Sequence, residues 1–366
     1  MKKIGIDARL YSQTGVGTYL QNLLYYLEQA DTNGEIFYIY LTKKDYDSVS
    51  FKKKNFIKRE AGFAWHSFSE QIGFALMLYR DGLDLMHFTY FSYPVVYLKK
   101  FIATVHDATP LLFKTGKAST KNQFVYNLKH FFFKIVVSLQ VKMAVKIITP
   151  ADSVKKQLVE IYGAGISQKI QPIYEGVSYK VSRAKENASL GKKFKDFFIY
   201  VGNFYPHKNV EKLIDAFTGI AGKYRLVLIG PNDYFTERIT RYINSSKAKN
   251  KITLLKSPPT ADLVFFYKNA EAIIHPSKSE GFGLPLVEAA YFNSPMIASN
   301  IDVFKELWAD QYLSFNPNDI NDIFEKIKSF IDKKPGFDYK DRLKKYSFAK
   351  MTEETLKVYH KVTQNS

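Results

Sequence analysis

The sequence predicts an α/β protein with two Rossmann-like domains, and three observations support this class. The chain has 366 residues, which is more than a single hydrophobic core usually serves. Short apolar runs typical of buried strands alternate with segments of helical periodicity. A strand, a glycine-containing loop and a helix occur in that order near the start and again near residue 200. We expect a first domain over residues 1–178 and a second over residues 179–349, joined by the polar, lysine-rich residues 179–195.

Composition restricts the partners and compartments open to the chain. It contains no Cys, so neither a disulfide framework nor a thiolate metal site or nucleophile is available. The formal net charge of +18 favours an anionic partner, either a phosphate-bearing substrate, an anionic membrane surface or nucleic acid. The charge is dispersed and no nucleic-acid module is recognisable, so we expect no nucleic-acid partner. With neither a signal peptide nor a long apolar span, we expect a cytoplasmic protein, peripheral on the inner face of the membrane.

The first glycine loop follows the first predicted strand. Residues 3–7 form that strand, Gly15 and Gly17 lie in the loop, and residues 18–27 form an amphipathic helix. This order of elements begins a Rossmann-like unit. The G-x-G pair is too short for a dinucleotide fingerprint, and a plain tight turn is the alternative interpretation.

His106 directly follows the apolar strand predicted over residues 101–105. Polar residues at the carboxyl end of a parallel strand point into the ligand crevice, so His106 is a candidate site residue. The alternative is a histidine that only caps a loop. His87 lies at the end of another predicted strand, over residues 83–88, and is a second candidate.

Residues 114–146 are rich in Lys and aromatic residues and contain neither Asp nor Glu. Such a basic, apolar and helix-rich segment suits a membrane interface, with its lysines toward anionic head groups. The alternative is a helix that packs on the core and exposes a solvated lysine face. A second basic cluster occupies residues 52–59 of the same half.

In the second half, a loop joins the strand predicted over residues 197–201 to the helix predicted over residues 210–217. The polar and glycine positions of this loop are Gly202, Asn203, His207 and Lys208. A Lys at a strand-to-helix turn can neutralise a diphosphate, whereas a solvated lysine is the alternative. Gly230 ends the next predicted strand.

Residues 272–290 again predict a strand, a glycine loop and a helix, which begins at Pro285. The loop comprises Glu280, Gly281, Phe282, Gly283 and Leu284. Amides at the positive start of a helix bind anions, and carboxylates such as Glu280 and Glu288 accept hydrogen bonds from sugar hydroxyls. Phosphate and sugar together indicate a nucleotide sugar. The alternative is an ordinary helix N-cap with acidic neighbours.

Several of these segments resemble one enzyme family. The spacing from Glu280 to Glu288 resembles the E-x7-E motif of GT-B glycosyltransferases. The form S-x-x-E-G-F-G-L-P-L-V-E-A over residues 277–289 is similar to the retaining family GT4, or glycosyltransferase group 1, which includes bacterial mannosyl- and rhamnosyltransferases. The Lys208 loop resembles the G-x-x-x-x-x-K-N pattern of that family, and residues 104–110 resemble its T-V-H-D-x-x-P segment.

Two positions depart from the family pattern. Glu175 stands where the family has Asn in I-x-N-G-V, which puts a donor contact there in doubt. Asn203 stands where many members have Arg, so a second cation is either absent or supplied elsewhere, with His207 as the candidate.

The resemblance implies a GT-B fold, in which two Rossmann-like domains with parallel sheets face a central cleft and residues 350–366 form a helix that crosses back to the first domain. It implies retaining, metal-independent transfer from a nucleotide-sugar donor to a glycan or polyprenyl-linked acceptor in cell-envelope polysaccharide synthesis, such as that of lipopolysaccharide, with no cofactor. The alternatives are a sugar-nucleotide epimerase or phosphorylase of the same fold and a non-catalytic, membrane-associated nucleotide-binding protein.

The resemblance also implies roles for single residues. The catalytic candidates are His106 at the donor sugar, Glu280 at the sugar hydroxyls and Lys208 at the diphosphate, while Glu288 is expected at the ribose. The complete donor-binding set comprises Gly15, Gly17, Gly202, Asn203, His207, Lys208, Gly230, Glu280, Gly281, Phe282, Gly283, Leu284 and Glu288. No metal site is expected.

Overall fold

The computed structural model describes residues 1–32, 34–112, 123–220 and 222–364, and side chains of the helix over Gln123–Met143 from His130 onward. The chain forms two compact units, of which the first is Met1–Glu175 with Phe348–Ser366 and the second is Gly176–Ser347. The sequence placed these divisions after residues 178 and 349.

The first unit contains a seven-stranded sheet in the order β3-β2-β1-β4-β5-β6-β7. All neighbouring strands are parallel. The strands are β1 (Lys2–Asp7), β2 (Glu35–Leu41), β3 (Phe56–Glu60), β4 (Leu85–Phe88), β5 (Phe101–Thr104), β6 (Lys146–Thr149) and β7 (Ile170–Pro172). The central strands β4 and β5 are buried along their whole length, which explains their continuous apolar sequences.

Helices cover both faces of this sheet. They are α1 (Val16–Gln29), α2 (Lys43–Ser48), α3 (Ala75–Asp81), α4 (Thr109–Leu112), α5 (Gln123–Met143) and α6 (Asp152–Tyr162). A π-helical turn, Glu70–Phe74, precedes α3, and a short 3-10 turn covers Ala164–Lys169. The C-terminal helix, Phe348–Gln364, buries Met351, Thr355 and Tyr359 and contacts α1.

The second unit contains a six-stranded sheet in the order β10-β9-β8-β11-β12-β13, which is also parallel throughout. Its strands are β8 (Phe197–Val201), β9 (Arg225–Gly230), β10 (Ile252–Lys256), β11 (Ile273–His275), β12 (Met296–Ser299) and β13 (Leu313–Phe315). The predicted α/β class with two parallel sheets is therefore confirmed.

The helices of the second unit alternate with its strands. They are α7 (Tyr179–Arg183), α8 (Val210–Phe217), α9 (Tyr234–Ser245), α10 (Thr260–Asn269), α11 (Leu284–Tyr291), α12 (Asp302–Trp308), α13 (Ile320–Lys333) and α14 (Lys340–Leu343). Short 3-10 turns occur at Ala188–Lys192, Pro206–Lys208 and Lys249–Lys251.

The segment predicted as a linker, residues 179–195, is structured and packs on the second unit. It contains α7, and Asn187 binds α10 through its backbone N–H to the Ala261 carbonyl (3.0 Å) and its side chain to Asp262 (2.8 Å). The linker interpretation is wrong because the polar residues cover the outside of a helical layer, a pattern that composition alone does not distinguish from a free linker.

Candidate active site

The candidate site of the second unit lies at the topological switch point of its sheet. Strands β8 and β11 are central neighbours, and the strand order runs in opposite directions on either side of them. Ligands of doubly wound sheets bind at the carboxyl ends of such strands. The loop after β8 carries Lys208, and the loop after β11 carries Glu280.

Lys208 and Glu280 form a nearly buried ion pair. The Nζ atom of Lys208 lies 2.6 Å from Oε1 of Glu280. The same oxygen accepts a hydrogen bond from Ser277 Oγ (2.7 Å) and lies 2.8 Å from His275 Nε2. Burial disfavours the charged carboxylate, but Lys208 and His275 outweigh burial and hold the pKa of Glu280 well below its usual range. Glu280 is therefore a fixed anion.

Two hydrogen bonds join the loops that carry this pair. The side chain of Asn209 donates to the carbonyl of Pro276 (3.1 Å), and the backbone N–H of Lys278 donates to the carbonyl of His207 (2.8 Å). Asn209 has a left-handed backbone, with φ of 61°, which Asn tolerates better than most residues. Sequence reasoning missed Asn209 as a positioning residue. The K-N pair of the loop is the signal that could have identified it.

The start of α11 offers an anion site beside the ion pair. Gly283 is the N-cap, with φ of 83°, and has no side chain to cap the helix. Because Pro285 has no N–H and the N–H groups of Leu286 and Val287 donate to the Gly283 carbonyl (2.9 and 3.4 Å), Leu284 carries the N–H that the helix start offers. A Cβ atom at Gly283 would lie 2.6 Å from Cε1 of Phe304, so both conformation and space favour glycine. The helix begins at Leu284, one residue earlier than predicted, so Pro285 is its second residue.

Glu288 has surroundings opposite to those of Glu280. Its Oε2 accepts a hydrogen bond from Tyr267 (2.8 Å), and the structure places no cation against it among the described residues. Burial raises the pKa of Glu288 to about 7, although the Tyr267 hydrogen bond acts in the other direction. The two carboxylates of the motif thus differ in charge state near neutral pH, a difference that their spacing does not indicate.

Three other predicted donor-binding residues, Phe282, Gly230 and Gly202, pack closely against neighbouring groups of the second unit. Phe282 is buried, with its ring 5.6 Å from that of Tyr346. A Cβ atom at Gly230 would lie 2.4 Å from Phe204 and 2.6 Å from the Gly202 carbonyl, so glycine permits the close approach of the two loops.

His207 is not the second cation proposed from the sequence. Burial, followed by the neighbouring charge of Lys208, lowers the pKa of His207 to about 4, so it is neutral at pH 7. Asn203, at the position of the missing Arg, accepts a hydrogen bond on its carbonyl from Tyr200 (2.5 Å). Neither residue supplies a charge to the site.

In the first unit, His106 lies between two oxygen acceptors. Its Nε2 is 3.0 Å from the Thr89 carbonyl, and its Nδ1 is 3.4 Å from Oε1 of Glu175. Glu175, the residue that replaces the family Asn, therefore lies against a predicted site residue of the same unit. His87 instead is fully buried, 2.7 Å from both Tyr359 Oη and Thr104 Oγ1, and burial lowers its pKa to about 3.

The two glycines of the first loop have different environments. Gly15 is the N-cap of α1 with φ of 70°, and no other residue lies within 4 Å of the position of its absent Cβ. Gly17 lies inside the first turn of α1, where a Cβ would contact the Tyr11 carbonyl at 2.6 Å. Gly15 is thus open to a ligand, while Gly17 allows the helix to pack.

The described ranges contain neither a metal-binding cluster nor a helix long and apolar enough to cross a membrane. No group of three or more His, Asp or Glu residues there is arranged to hold a metal ion. Each helix in those ranges is too short or too polar to cross a bilayer.

Two all-parallel sheets, with a lysine and a carboxylate meeting at a switch point, define the GT-B class. A model of the family described as "Glycosyl transferases group 1" matches residues 182–350. O-antigen chain mannosyltransferase RfbU of Salmonella typhimurium is 26% identical over 255 residues, covering 70% of this chain and 67% of that protein.

Solved structures share the fold over the whole chain. Sucrose-phosphate synthase from Thermosynechococcus elongatus superposes with a TM-score of 0.79 at 16% identity, covering 100% of both chains. Anabaena HepE in complex with UDP and glucose has a TM-score of 0.76 at 13% identity, covering 99% of this chain and 100% of that one.

Through residues 182–350 the chain is similar to the group 1 glycosyl transferases, and it has the GT-B fold. The family match and the relatives support glycosyl transfer, and they do not support the epimerase, phosphorylase or non-catalytic alternatives.

Proposed function

We propose that this glycosyltransferase moves a sugar from a nucleotide-sugar donor to a glycan or polyprenyl-linked acceptor, with retention of configuration and without a metal ion. The product is a cell-envelope polysaccharide, and the chain works as a peripheral protein on the anionic inner face of the membrane. The observation that carries the proposal is the ion pair of Lys208 and Glu280 beside the uncapped start of α11.

Names of similar proteins support the donor and the product. HepE was solved with UDP and glucose, which supports a nucleoside-diphosphate sugar as donor. RfbU is an O-antigen chain mannosyltransferase, and WaaG is a glycosyltransferase involved in lipopolysaccharide biosynthesis. These names support a hexose donor and a polysaccharide product for this chain.

Lys208 and the amides of α11 supply the positive charge that a departing diphosphate needs. When the donor binds, Lys208 exchanges the carboxylate of Glu280 for a phosphate oxygen, while the backbone N–H groups of Gly283 and Leu284 bind a second phosphate oxygen. Both donors are preorganised by packing, so little reorganisation accompanies bond cleavage. These groups do the work of a metal ion, which supports metal-independent chemistry.

Glu280 is suited to bind the sugar and poorly suited to attack it. The Lys208, His275 and Ser277 contacts all fall on Oε1, so Oε2 is the oxygen that can accept sugar hydroxyls. A carboxylate stabilised by three donors is a weak nucleophile. This supports a retaining reaction without a covalent enzyme intermediate, in which the acceptor attacks from the face of the leaving phosphate.

Hydrolysis of a panel of nucleotide sugars tests the proposal. We expect turnover of one nucleotide hexose by the wild-type chain and loss of that turnover in Lys208→Ala. Lys223→Ala is the matched control, because Lys223 pairs with Asp196 on the surface of the same unit. Proton NMR of the first-formed sugar should show the anomeric configuration of the donor. Inversion, or turnover that Lys208→Ala leaves unchanged, would overturn the proposal.

A further inference from the structure

Large apolar side chains are exposed on the first unit and almost absent from the surface of the second. Among the described residues, 15 large hydrophobic side chains are exposed, and one of them, Tyr291, lies in the second unit. Twelve of the other 14 fall between residues 68 and 145. Single exposed apolar residues are ordinary, but this concentration indicates a surface with a partner.

The first group of these side chains lies on the π-turn, on α3 and on the segment before β5. It comprises Phe68, Ile72, Leu76, Tyr79, Val96 and Leu98, which we call the α3 ridge. Tyr79 Oη joins its parts, because it donates to the Val96 carbonyl (3.0 Å) and accepts from the Leu98 N–H (2.9 Å). Leu98 is 73% exposed although its backbone is held in this way. The ridge is therefore a fixed surface.

The second group lies on the outer face of α5 and just beyond its end. It comprises Phe131, Phe132, Ile135, Leu139, Met143 and Val145, which we call the α5 ridge. The inner face of the helix, with Val137 and Val141, is buried in the core. A helix that is apolar on both faces normally has protein or lipid on both sides. Protein covers only the inner face of α5 within the described residues.

The two ridges are neighbours on one face of the sheet. Phe74 and Leu78, beneath the α3 ridge, belong to the same core cluster as Val137 and Val141 beneath the α5 ridge. Residues 90–101 join the two. Within this segment the Tyr90 carbonyl accepts from Gln140 of α5 (2.8 Å), whereas further along Tyr79 holds Val96 and Leu98.

The exposed charge around the ridges is mainly positive, although the exposed Asp84, which accepts a hydrogen bond from the Lys3 N–H (2.7 Å), lies near the start of β4. Lys99, Lys100, Lys134 and Lys142 are exposed beside them, and residues 85–106 and 108–151 contain neither Asp nor Glu. The nearby Asp81 carboxylate accepts hydrogen bonds from Arg59 and Tyr40, each at 2.7 Å. By contrast, Lys53 and Lys58 of the basic cluster predicted over residues 52–59 donate to backbone carbonyls and form part of the fold.

We propose that the α3 and α5 ridges with their lysines form a docking face for an anionic lipid bilayer, into whose interface the exposed apolar side chains insert. Exposed apolar side chains flanked by an excess of exposed lysines match a surface of anionic head groups over hydrocarbon. This partner rests on the proposed function and deepens it, because membrane association there came from the basic segments over residues 114–146, which lie partly outside the described residues, and over residues 52–59. Donor hydrolysis needs no membrane, so the two proposals can fail separately.

A cysteine-free chain allows a direct test by single-cysteine labelling. Leu76→Cys, Leu98→Cys and Phe132→Cys would each carry an environment-sensitive fluorophore, with Tyr291→Cys as the exposed apolar control in the second unit. We expect a blue shift at the three first-unit positions when vesicles of phosphatidylglycerol and phosphatidylcholine are added, and none at position 291. An equal response at all four positions, or no response, would overturn the proposal.

Vesicle flotation of the full chain provides the second measurement. Lys99→Gln with Lys100→Gln should lower binding to phosphatidylglycerol vesicles roughly fivefold per lysine at low salt. Lys247→Gln with Lys249→Gln, exposed lysines of the second unit, is the matched control and should change little. Donor hydrolysis reports whether each variant is folded. Equal binding to pure phosphatidylcholine would refute an anionic partner, and a label shift that depends on protein concentration without vesicles would instead indicate contact between copies of the chain.

Discussion

The two units have the same kind of sheet, but they treat the charged residue after their first strand in opposite ways. In the first unit Arg9 is completely buried, and its guanidinium bonds Asp7 (2.6 Å), Glu70 (2.7 Å) and the Phe63 carbonyl (3.2 Å). In the second unit Lys208 has one carboxylate partner and a side chain that is 14% exposed. The Arg9 side chain is fully buried on two carboxylates and cannot reach a ligand, whereas Lys208 can exchange its partner.

Their surfaces differ as well. The first unit exposes the α3 and α5 ridges, while the second exposes Tyr291 alone among large apolar side chains of the described residues. The two proposals assign different tasks to the two units, although their architecture is the same. We propose that loops at the switch point of the second unit hold exchangeable charge for a donor, and that helices of the first unit present apolar surface to a bilayer.

The largest effect is expected from Glu280→Gln. We expect kcat to fall roughly 10²–10³-fold, because a contact at the reacting sugar is lost in the transition state. Free nucleoside diphosphate should bind more tightly, because Lys208 no longer has a carboxylate that competes with phosphate. Steady-state kinetics with calorimetric titration measures both quantities. Weaker diphosphate binding with unchanged kcat would show that Glu280 serves the diphosphate and not the sugar.

Lys208→Ala should weaken nucleoside diphosphate binding by about 1.5–3 kcal/mol, the usual value of a hydrogen bond to a charged group. The Lys223→Ala control should bind as the wild type does. Calorimetric titration of both variants with nucleoside diphosphate measures the two affinities. If the affinity is unchanged without Lys208, then Lys208 does not bind the diphosphate and is a structural residue, as Arg9 is.

Most of the fold was predictable because its central strands are continuous apolar runs. Strands β5 and β8 were located almost to the residue. Strands that are buried on both faces are continuously apolar in sequence, and such a run can be recognised without knowing its neighbours in the fold. The edge strand β3 was missed, because Phe56–Glu60 mixes apolar and charged residues. The exposed α3 ridge was also missed, since helical periodicity does not reveal which apolar face the rest of the protein covers.

The sequence predicted the charged residues of the candidate site, but it did not predict the residues that bind and position them. Lys208 and Glu280 follow strands, within motifs that indicate the chemistry. His275, Ser277 and Asn209 act through contacts between loops that are distant in sequence. The charge state of Glu288 depends on burial and on Tyr267, which lies on a different helix.

Glu288 should make stability and donor binding depend on pH in opposite directions. Its pKa in the folded chain, about 7, is above its ordinary value of 4.5. The protonated form therefore favours the fold at low pH, and this contribution, on the order of 3 kcal/mol, is lost as pH rises from about 4.5 through 7. Affinity for nucleoside diphosphate should rise over the same range, because the ionised carboxylate accepts ribose hydroxyls better.

The difference between wild type and Glu288→Gln isolates this group from the histidines that titrate nearby. Thermal unfolding and calorimetry at pH 6 and pH 8 provide the comparison. If stability and diphosphate affinity change equally between pH 6 and pH 8 in the two proteins, Glu288 does not titrate in this range.

The smallest effect is expected from EDTA, which should leave donor turnover unchanged because Lys208 and the amides of α11 carry the positive charge. Initial rates before and after dialysis against EDTA provide the measurement. Loss of turnover that Mg²⁺ or Mn²⁺ restores would contradict this expectation.

The central claim is that Lys208 passes from Glu280 to the diphosphate of the donor. A crystal structure of the chain with bound nucleoside diphosphate tests it most directly. We expect Lys208 Nζ at hydrogen-bond distance from a phosphate oxygen, the N–H groups of Gly283 and Leu284 facing a second one, and Glu280 still held by His275 and Ser277. A complex in which Lys208 remains on Glu280 while the phosphates lie away from α11 would contradict it.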